Sequence, residues 1–286
     1  MLSTTPPTAP ATTPPTAPAT TPPAAAAPVL TPTAPVLTPT GPAAPGSAAP
    51  YTVAIAGTEE LVHAAQRLRH QVFGEERGAR LNAPDGRDQD EFDAVMDHLV
   101  VTDNTTGEVV GTYRLLPPGR SERLYSETEF DLRTLPAQVR DRMVEAGRAC
   151  VHPDHRTGAV INLMWIGLAR YVLLSGHRYL AGCASVSLAG GERAAVNAWL
   201  LGTGKHAAPP ELRVRPLDPW TPSGPLDGAP DPAELPPLLR GYLRAGAWMC
   251  GAPQHDRAFG DADFFVLLDT ERMNERYRRF FLGDVR

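Results

Sequence analysis

One stretch constrains the fold more than any other: EAGRACVHPDHRTGAVINLMWIGLARY, from Glu145 to Tyr171. Val144 to Val151 reads as a strand, HPDHRTGA as a Pro/Gly-punctuated turn, and Val160 to Leu174 as an almost wholly apolar helix. A strand that feeds through a turn into a buried helix belongs to a layered fold with helices packed on a sheet. The helix start offers unpaired N–H groups and a partial positive charge, and Gly158 and Ala159 let a ligand approach the backbone, so the turn suits a phosphate-bearing group. Glu145 and Arg148 lie on the strand just before it. Three residues apart in a regular strand, they face opposite ways. They serve one site only if the strand bulges between them, and Gly147 is placed to allow that. Otherwise they read as a sheet-surface salt bridge.

The first fifty residues are a different material. They hold no charged side chain and are nearly all Pro, Ala and Thr, with repeats such as TPPTAPAT. Proline blocks helix and sheet ladders, and too little bulky apolar surface is available to offset ordering entropy. Residues 1–50 therefore read as a disordered, partly polyproline-like tail. Lacking a basic start and a continuous apolar run, they do not read as a signal peptide.

From residue 51 onward, strands and helices interleave. Tyr51 to Ala56 alternates as a strand. Thr58 caps a helix over Glu59 to Phe73, whose Arg67, Arg69 and His70 read as a solvated surface. The acidic block DGRDQDEFD lies in a loop over Arg77 to Asp97; it matches no calcium-loop template and also reads as solvated. Leu99 to Thr102 and Val109 to Leu116 form a hairpin turned by DNTTG. Arg120 to Asp131 is a loop and Pro136 to Met143 a short helix. Tyr179 to Val186 is a strand covered on both faces. Further on come helices over Glu192 to Leu201, Leu235 to Leu243 and Glu271 to Phe281, and strands over Leu212 to Leu217, Ala247 to Cys250 and Phe264 to Leu268. The expectation is one α/β (α+β) domain with a mixed sheet over residues 51–286.

Charge and cysteine usage narrow the function classes. The formal net charge is -5, and Lys205 is the single lysine among 27 basic residues. Such a balance argues against a nucleic-acid partner. Cys150, Cys183 and Cys250 are far apart and show no metal-ligand spacing, so they read as reduced, buried thiols of a cytosolic protein, with no metal implied. No apolar run is long enough to span a membrane. Arg114, inside the apolar strand GTYRLL, needs a partner. It either pairs with an acid such as Asp90, Asp93 or Glu145, or binds a substrate carboxylate in bidentate fashion. His98 and Asp103 form an H-x-x-x-x-D spacing, read as coincidence because it falls on opposite faces of a strand.

Taken together, RLRHQVFGEE, DEFDAVMDHLVV, GTYRLL, YSETEFDL, GRACVHPDHRTGAVINLMWIGLARY, GCASV and DADFFVLLD resemble the ornithine-lipid N-acyltransferases, haemolysin-like members of the GNAT superfamily. The same framework resembles the acyl-homoserine lactone synthases. The resemblance implies a mostly antiparallel GNAT-like sheet flanked by helices, with a C-terminal extension. It implies catalytic roles for Glu145 and Arg148, and substrate-binding roles for Arg69, Phe73, Asp90, Asp93 and Arg114. Val151, Arg156, Gly158 and Ala159 would hold the donor's phosphopantetheine. The implied reaction moves a (3-hydroxy)fatty acyl group from a thioester to the α-amine of an amino acid such as ornithine, giving a lipid precursor. RTGAV matches the GNAT pyrophosphate loop only in part, which favours acyl carrier protein over coenzyme A as the carrier of the thioester. Arg140, Arg142 and Arg156 would form a basic face for that acidic partner. No cofactor would be bound permanently. The protein would be cytoplasmic or peripheral at the inner face of the membrane, in transient contact with it. Two other readings stay open: a CoA-dependent small-amine acetyltransferase, and a non-catalytic module that only binds acyl carrier protein.

Overall fold

The computed structural model describes residues 49–81, 83 and 85–282; the tail assigned to residues 1–50 lies outside these except for Ala49 and Pro50. Strand β1 (Tyr51–Ile55) pairs antiparallel with β2 (Asp97–Asp103). Between them runs α1 (Glu59–Arg69), capped by the Thr58 hydroxyl, which accepts the Leu61 N–H at 3.4 Å. The helix does not stop at Phe73: it continues as wider π turns over His70–Glu76, carrying the chain one turn further toward the acidic loop. That loop is not simply solvated. Asp90 and Asp93 close a capping box on a short 3₁₀ turn, Glu91–Ala94, and Asp88 is buried.

β2 and β3 (Val109–Leu116) form the expected hairpin, and β3 pairs antiparallel with β5 (Met143–Val151). Before β5 come a two-residue strand β4 (Phe130–Asp131) and the short helix α2 (Ala137–Arg140). The segment read as a loop, Arg120 to Asp131, also holds a 3₁₀ turn over Tyr125–Thr128. Helix α3 (Ala159–Leu174) then crosses the sheet to β6 (Tyr179–Ser187), and β5 and β6 are parallel. A parallel pair needs such a crossover.

The second half adds α4 (Arg193–Thr203), β7 (Arg215–Pro216), α5 (Pro237–Ala245), β8 (Trp248–Met249), β9 (Gln254–Asp256), β10 (Asp261–Asp269) and α6 (Glu275–Leu282). The strand read over Leu212 to Leu217 contracts to β7, which pairs with β4 in a separate ribbon. The main sheet has the order β1-β2-β3-β5-β6-β10-β8, with β9 on β10. The last long strand therefore lies inside the sheet, against β6 over all nine residues.

Two close approaches set the shape. Helix α3 sits directly on the sheet because Gly167 faces Leu99; a Cβ there would come within 2.7 Å of the leucine side chain. Below it Val160, Met164, Leu168 and Val172 join Val53, Leu99, Val101 and Leu115 in the core. The second approach is at Gly182 on β6. The β5–β6 ladder runs only from Met143↔Tyr179 to Glu145↔Ala181, after which the strands part. A Cβ at Gly182 would lie 2.1 Å from the Ala146 carbonyl oxygen, a backbone atom that cannot move aside alone. Gly182→Val should therefore force β6 away from β5 and cost about 1–3 kcal/mol, the usual range for overpacking. Thermal unfolding checks this; an unchanged melting temperature would show that the strands can part further without penalty.

Candidate active site

Where β5 and β6 part, a cavity of about 670 Å³ opens. Its walls are Ala146 to Val151 on one strand, Leu180 to Ser185 on the other, and Pro236 to Leu239 with Tyr242 from α5. Most of these are apolar. The polar lining groups include Arg114, Ser126, Glu129, Glu145, Arg148, Asp256 and Asp263, with Arg77, His155 and Arg156 also on the wall.

Glu145 is 2 % exposed and faces this cavity. Its two carboxylate oxygens accept the backbone N–H groups of Tyr125 and Ser126, each at 2.7 Å. The segment read from sequence as a plain loop thus supplies the donors that hold the carboxylate, and a helical start is a suitable place for an anion. Burial pushes the Glu145 carboxyl above its ordinary range, only partly opposed by these donors and by Arg114. The strand bulge expected beside it is real but sits one residue later. The register between β3 and β5 shifts between Thr112 and Arg114, and Arg148 takes φ 52, a left-handed conformation rare for a side-chain-bearing residue. Gly147 does not take a positive φ. The bulge turns Arg148 onto the Glu145 side, so both line one cavity. They are not a salt bridge. The acids nearest Arg148 are Asp88 at 3.4 Å and Asp90 at 3.7 Å. Its guanidinium lies 5.2 Å from the Tyr125 ring centre and 5.0 Å from that of Phe259.

Behind this wall lies an ion-pair lattice. Asp93 bridges two arginines, accepting from Arg69 at 2.7 Å and from Arg114 at 2.9 Å. Asp90 accepts from Arg114 at 2.6 Å. Arg69 is 0 % exposed, not solvated as its place on the helix suggested. It donates from Nε to Asp88 at 2.9 Å and also to the Asp88 carbonyl, and it contacts His98 at 3.4 Å. Burial raises the Asp93 pKa, but Arg69 and Arg114 override it and hold the carboxyl well below the usual range. Burial and Arg69 push His98 down, so it stays neutral among the arginines.

The expected substrate-binding residues therefore divide. Phe73 and Arg114 reach the cavity wall; Arg69, Asp90 and Asp93 lie behind it. Arg69 is fully buried, held by Asp88, Asp93 and His98, and off the cavity wall, so it is not placed to meet a substrate carboxylate. On the donor side, Val151, Arg156 and Gly158 line the cavity, while Ala159 begins α3 outside it. Gly158 caps that helix at φ 92. Arg156 makes two bonds of 2.6 Å to Glu76, and Arg140 one of 2.7 Å to Glu127, so both sit in local ion pairs.

Sequence reasoning passed over Ser126, Glu129, Cys183, Asp256 and Asp263. The one available signal was DADFFVLLD, a strand whose run of apolar residues is interrupted by an inward acid, and a buried acid needs a reason. Cys183 Sγ donates to Ser126 Oγ at 3.4 Å. Burial, then Glu129 and Asp263, push its thiol well above the ordinary range, so it is no thiolate. All three cysteines are free.

Residues 68–166 match the acetyltransferase (GNAT) domain family. The chain is 37% identical over 254 residues to the L-ornithine N(alpha)-acyltransferase of Rhodobacter capsulatus, covering 82% of this chain and 96% of that protein. It is 33% identical over 255 residues to the L-ornithine N(alpha)-acyltransferase of Brucella abortus, covering 80% and 88%. Among solved structures, the AHL synthase LasI aligns with 82% of this chain and 95% of its own, at 15% identity and a TM-score of 0.47. The chain is an acyltransferase, and it belongs to the L-ornithine N(alpha)-acyltransferase family.

Proposed function

We propose that this enzyme transfers a fatty acyl group from a thioester to the α-amine of ornithine, with Glu145 as general base. The observation that carries this reading is the placement of Glu145: a buried carboxylate on the cavity wall where β5 and β6 part, fixed by two backbone N–H groups and shifted upward by burial. A carboxylate so shifted is a better proton acceptor near neutral pH than an ordinary one.

The substrate arrives as an ammonium, which has no lone pair. Glu145 takes one proton, and the free amine attacks the thioester carbonyl lying in the notch between the strands. Beyond Glu145 the β6-facing backbone of β5 has no strand partner in the ladder, so N–H groups there can receive the oxyanion. Collapse breaks the C–S bond. The nitrogen's second proton passes to the departing thiolate, giving amide and thiol, and Glu145 returns its proton to solvent. The α-carboxylate goes to Arg148, which lines the cavity, rather than to Arg69, which lies behind its wall. Arg69, Asp90 and Asp93 act by positioning Arg114 and Arg148. The apolar part of the cavity suits the acyl chain. The phosphopantetheine arm follows Val151 to Gly158, and the partial RTGAV match favours acyl carrier protein over coenzyme A. A protonated Cys183 leaves no thiolate for a covalent intermediate, so transfer is direct. Among the described residues no helix is long and apolar enough to cross a membrane, so meeting a lipid surface would be peripheral.

Incubation with ornithine and either acyl carrier protein or coenzyme A thioesters tests the reading. Mass spectrometry should find N-acylornithine, matched by free thiol, with the carrier-protein donor preferred. Cys183→Ala should make the same product within a few-fold. Absence of amide from both donors would sink the proposal, and an acylated Cys183 would sink the direct route.

A further inference from the structure

Three acids meet on the cavity wall away from the mechanism described above. Glu129 follows the 3₁₀ turn that holds Glu145, Asp256 ends β9, and Asp263 lies on β10. One carboxylate oxygen from each lies within 4.8 Å of the others. Glu129 is 7 % exposed and Asp263 2 % exposed, and both face the cavity. Glu129 Oε2 and Asp263 Oδ1 receive no hydrogen bond. Structural ion pairs explain the other buried aspartates: Asp261 has Arg77 at 2.8 Å, Asp269 has Arg178 at 2.7 Å, and Asp88 has Arg69, as does the half-buried Asp93. Among the described residues, no cation lies within salt-bridge distance of Glu129 or Asp263. Arg148, whose charge reaches Glu129, is shared with Asp88 and Asp90.

Two buried carboxylates this close cannot both ionise unless a cation joins them. Burial pushes both up, Asp263 the more strongly; Glu129 raises the cost of ionising Asp263, and Asp256 raises that of both. The pair is thus built to accept a positive charge that the folded chain does not itself supply. Its position says which one. From Glu145, the wall continues through Ser126, which donates its backbone N–H to that carboxylate, to Cys183, whose thiol reaches the Ser126 hydroxyl. Cys183 in turn neighbours Glu129. One cavity therefore has a carboxylate for a reacting amine at one place and a carboxyl pair without a partner further along. A diamino acid has two amines separated by a short chain.

We propose that Glu129 and Asp263, with Asp256 beside them, seat the side-chain ammonium of the diamino-acid acceptor and so select it over neutral amino acids. This deepens the ornithine reading and rests on it. Binding of the ammonium displaces the proton shared by the pair and satisfies Oε2 and Oδ1 with charge-assisted hydrogen bonds. The neutral amino acid of the same length, norvaline, leaves the pair as it was and gains nothing from it.

The test compares ornithine with norvaline on the full chain, wild type against Glu129→Gln/Asp263→Asn, by acyl-transfer kinetics and by calorimetric binding without donor. The variant should lose about 10²-fold in kcat/KM for ornithine, the usual scale for removing a desolvated charge partner. Its ornithine-over-norvaline preference should vanish in both assays. Its melting temperature should hold or rise, since two mutually repelling buried acids are gone; Asp263→Asn alone supplies the same comparison if the double variant is poorly folded. A variant that keeps the preference overturns the proposal. So does wild-type activity that is lost on chelation and restored by a divalent cation, which would make the cluster a metal site. Selective ornithine binding without acyl transfer by the wild type would leave the ammonium seat standing and overturn the reaction instead.

Discussion

Replacing Glu145 by glutamine is expected to lower turnover by roughly 10²–10⁴-fold, the usual worth of a positioned proton acceptor. Raising the pH should recover part of the loss, because more of the substrate amine is then free without help. The wild-type rate should show an acid limb set by the Glu145 carboxyl, placed above the ordinary carboxylate range in the direction burial drives it, and the variant should lack that limb. The effect on stability should be small because two changes oppose. An acid whose folded pKa is raised favours folding below its unfolded pKa and loses that contribution as the pH rises through the folded value. At neutral pH the ionised Glu145 is therefore a burden that glutamine removes. Against this, the amide has one accepting oxygen where the carboxylate has two, so either the Tyr125 or the Ser126 N–H is left unpaired, at about 1–3 kcal/mol. Neither Arg114 nor Arg148 depends on Glu145 for its pairing, so no arginine is stranded. Turnover and melting temperature measured on one sample separate the readings. Near-normal turnover at neutral pH would remove Glu145 as the base.

The second large effect concerns Asp93, through stability. Asp93→Asn takes the shared anion from two buried guanidinium groups, Arg69 and Arg114. Breaking a buried pair by removing one partner costs about 3–5 kcal/mol, because the remaining charge stays buried. For a chain of this size that corresponds to a drop of roughly 6–20 °C in melting temperature. Asp90 still holds Arg114 at 2.6 Å, and Asp88 still holds Arg69 at 2.9 Å, so the protein should remain folded at low temperature. Asp93 has a lowered folded pKa. Its contribution is therefore complete above the ordinary aspartate range and is lost as the pH falls below it. Wild type should lose stability steeply there, and the variant should start lower and fall less. Chemical denaturation at several acid pH values checks this. A variant as stable as wild type would show that Asp90 and Asp88 suffice and that Asp93 does not organise the lattice.

Much of the sheet was legible in the sequence because its signals are local. The alternation of Tyr51 to Ala56, the DNTTG turn and the apolar helix after HPDHRTGA each depend on residues a few positions apart. The parts that misled depend on distant partners. Arg69 has the pattern of an exposed helical arginine, and only the inward turn of Asp88 and Asp93 explains its burial. The Arg120 to Asp131 segment has no periodicity, so neither its 3₁₀ turn nor its hold on Glu145 could be read from it. Proline shifted one helix: its expected start at Leu235 moves to Pro237, where a missing N–H costs nothing. Glu145 and Arg148 were identified as candidates, yet the bulge that unites them was assigned to the permissive glycine rather than to Arg148 itself. The acidic trio was beyond local reasoning, since its members are separated by up to 134 positions and are assembled by the insertion of β10 beside β6.

The positive charge at the cavity is carried by arginine alone: Arg77, Arg114, Arg148 and Arg156 line it, and no lysine does. A thioester is an acylating reagent toward any free amine it meets. Guanidinium stays protonated and its lone pair is delocalised, so it can hold anions beside an activated acyl group without being consumed by it. A lysine in the same place would compete with the substrate as nucleophile and would lose its charge once acylated. Lys205, the chain's single lysine, is exposed just after α4 and is not part of the cavity wall. On the proposed reading the arginine lining confers chemoselectivity: the amine presented to the thioester is the α-amine that the acceptor brings, and the catalyst is protected from modifying itself.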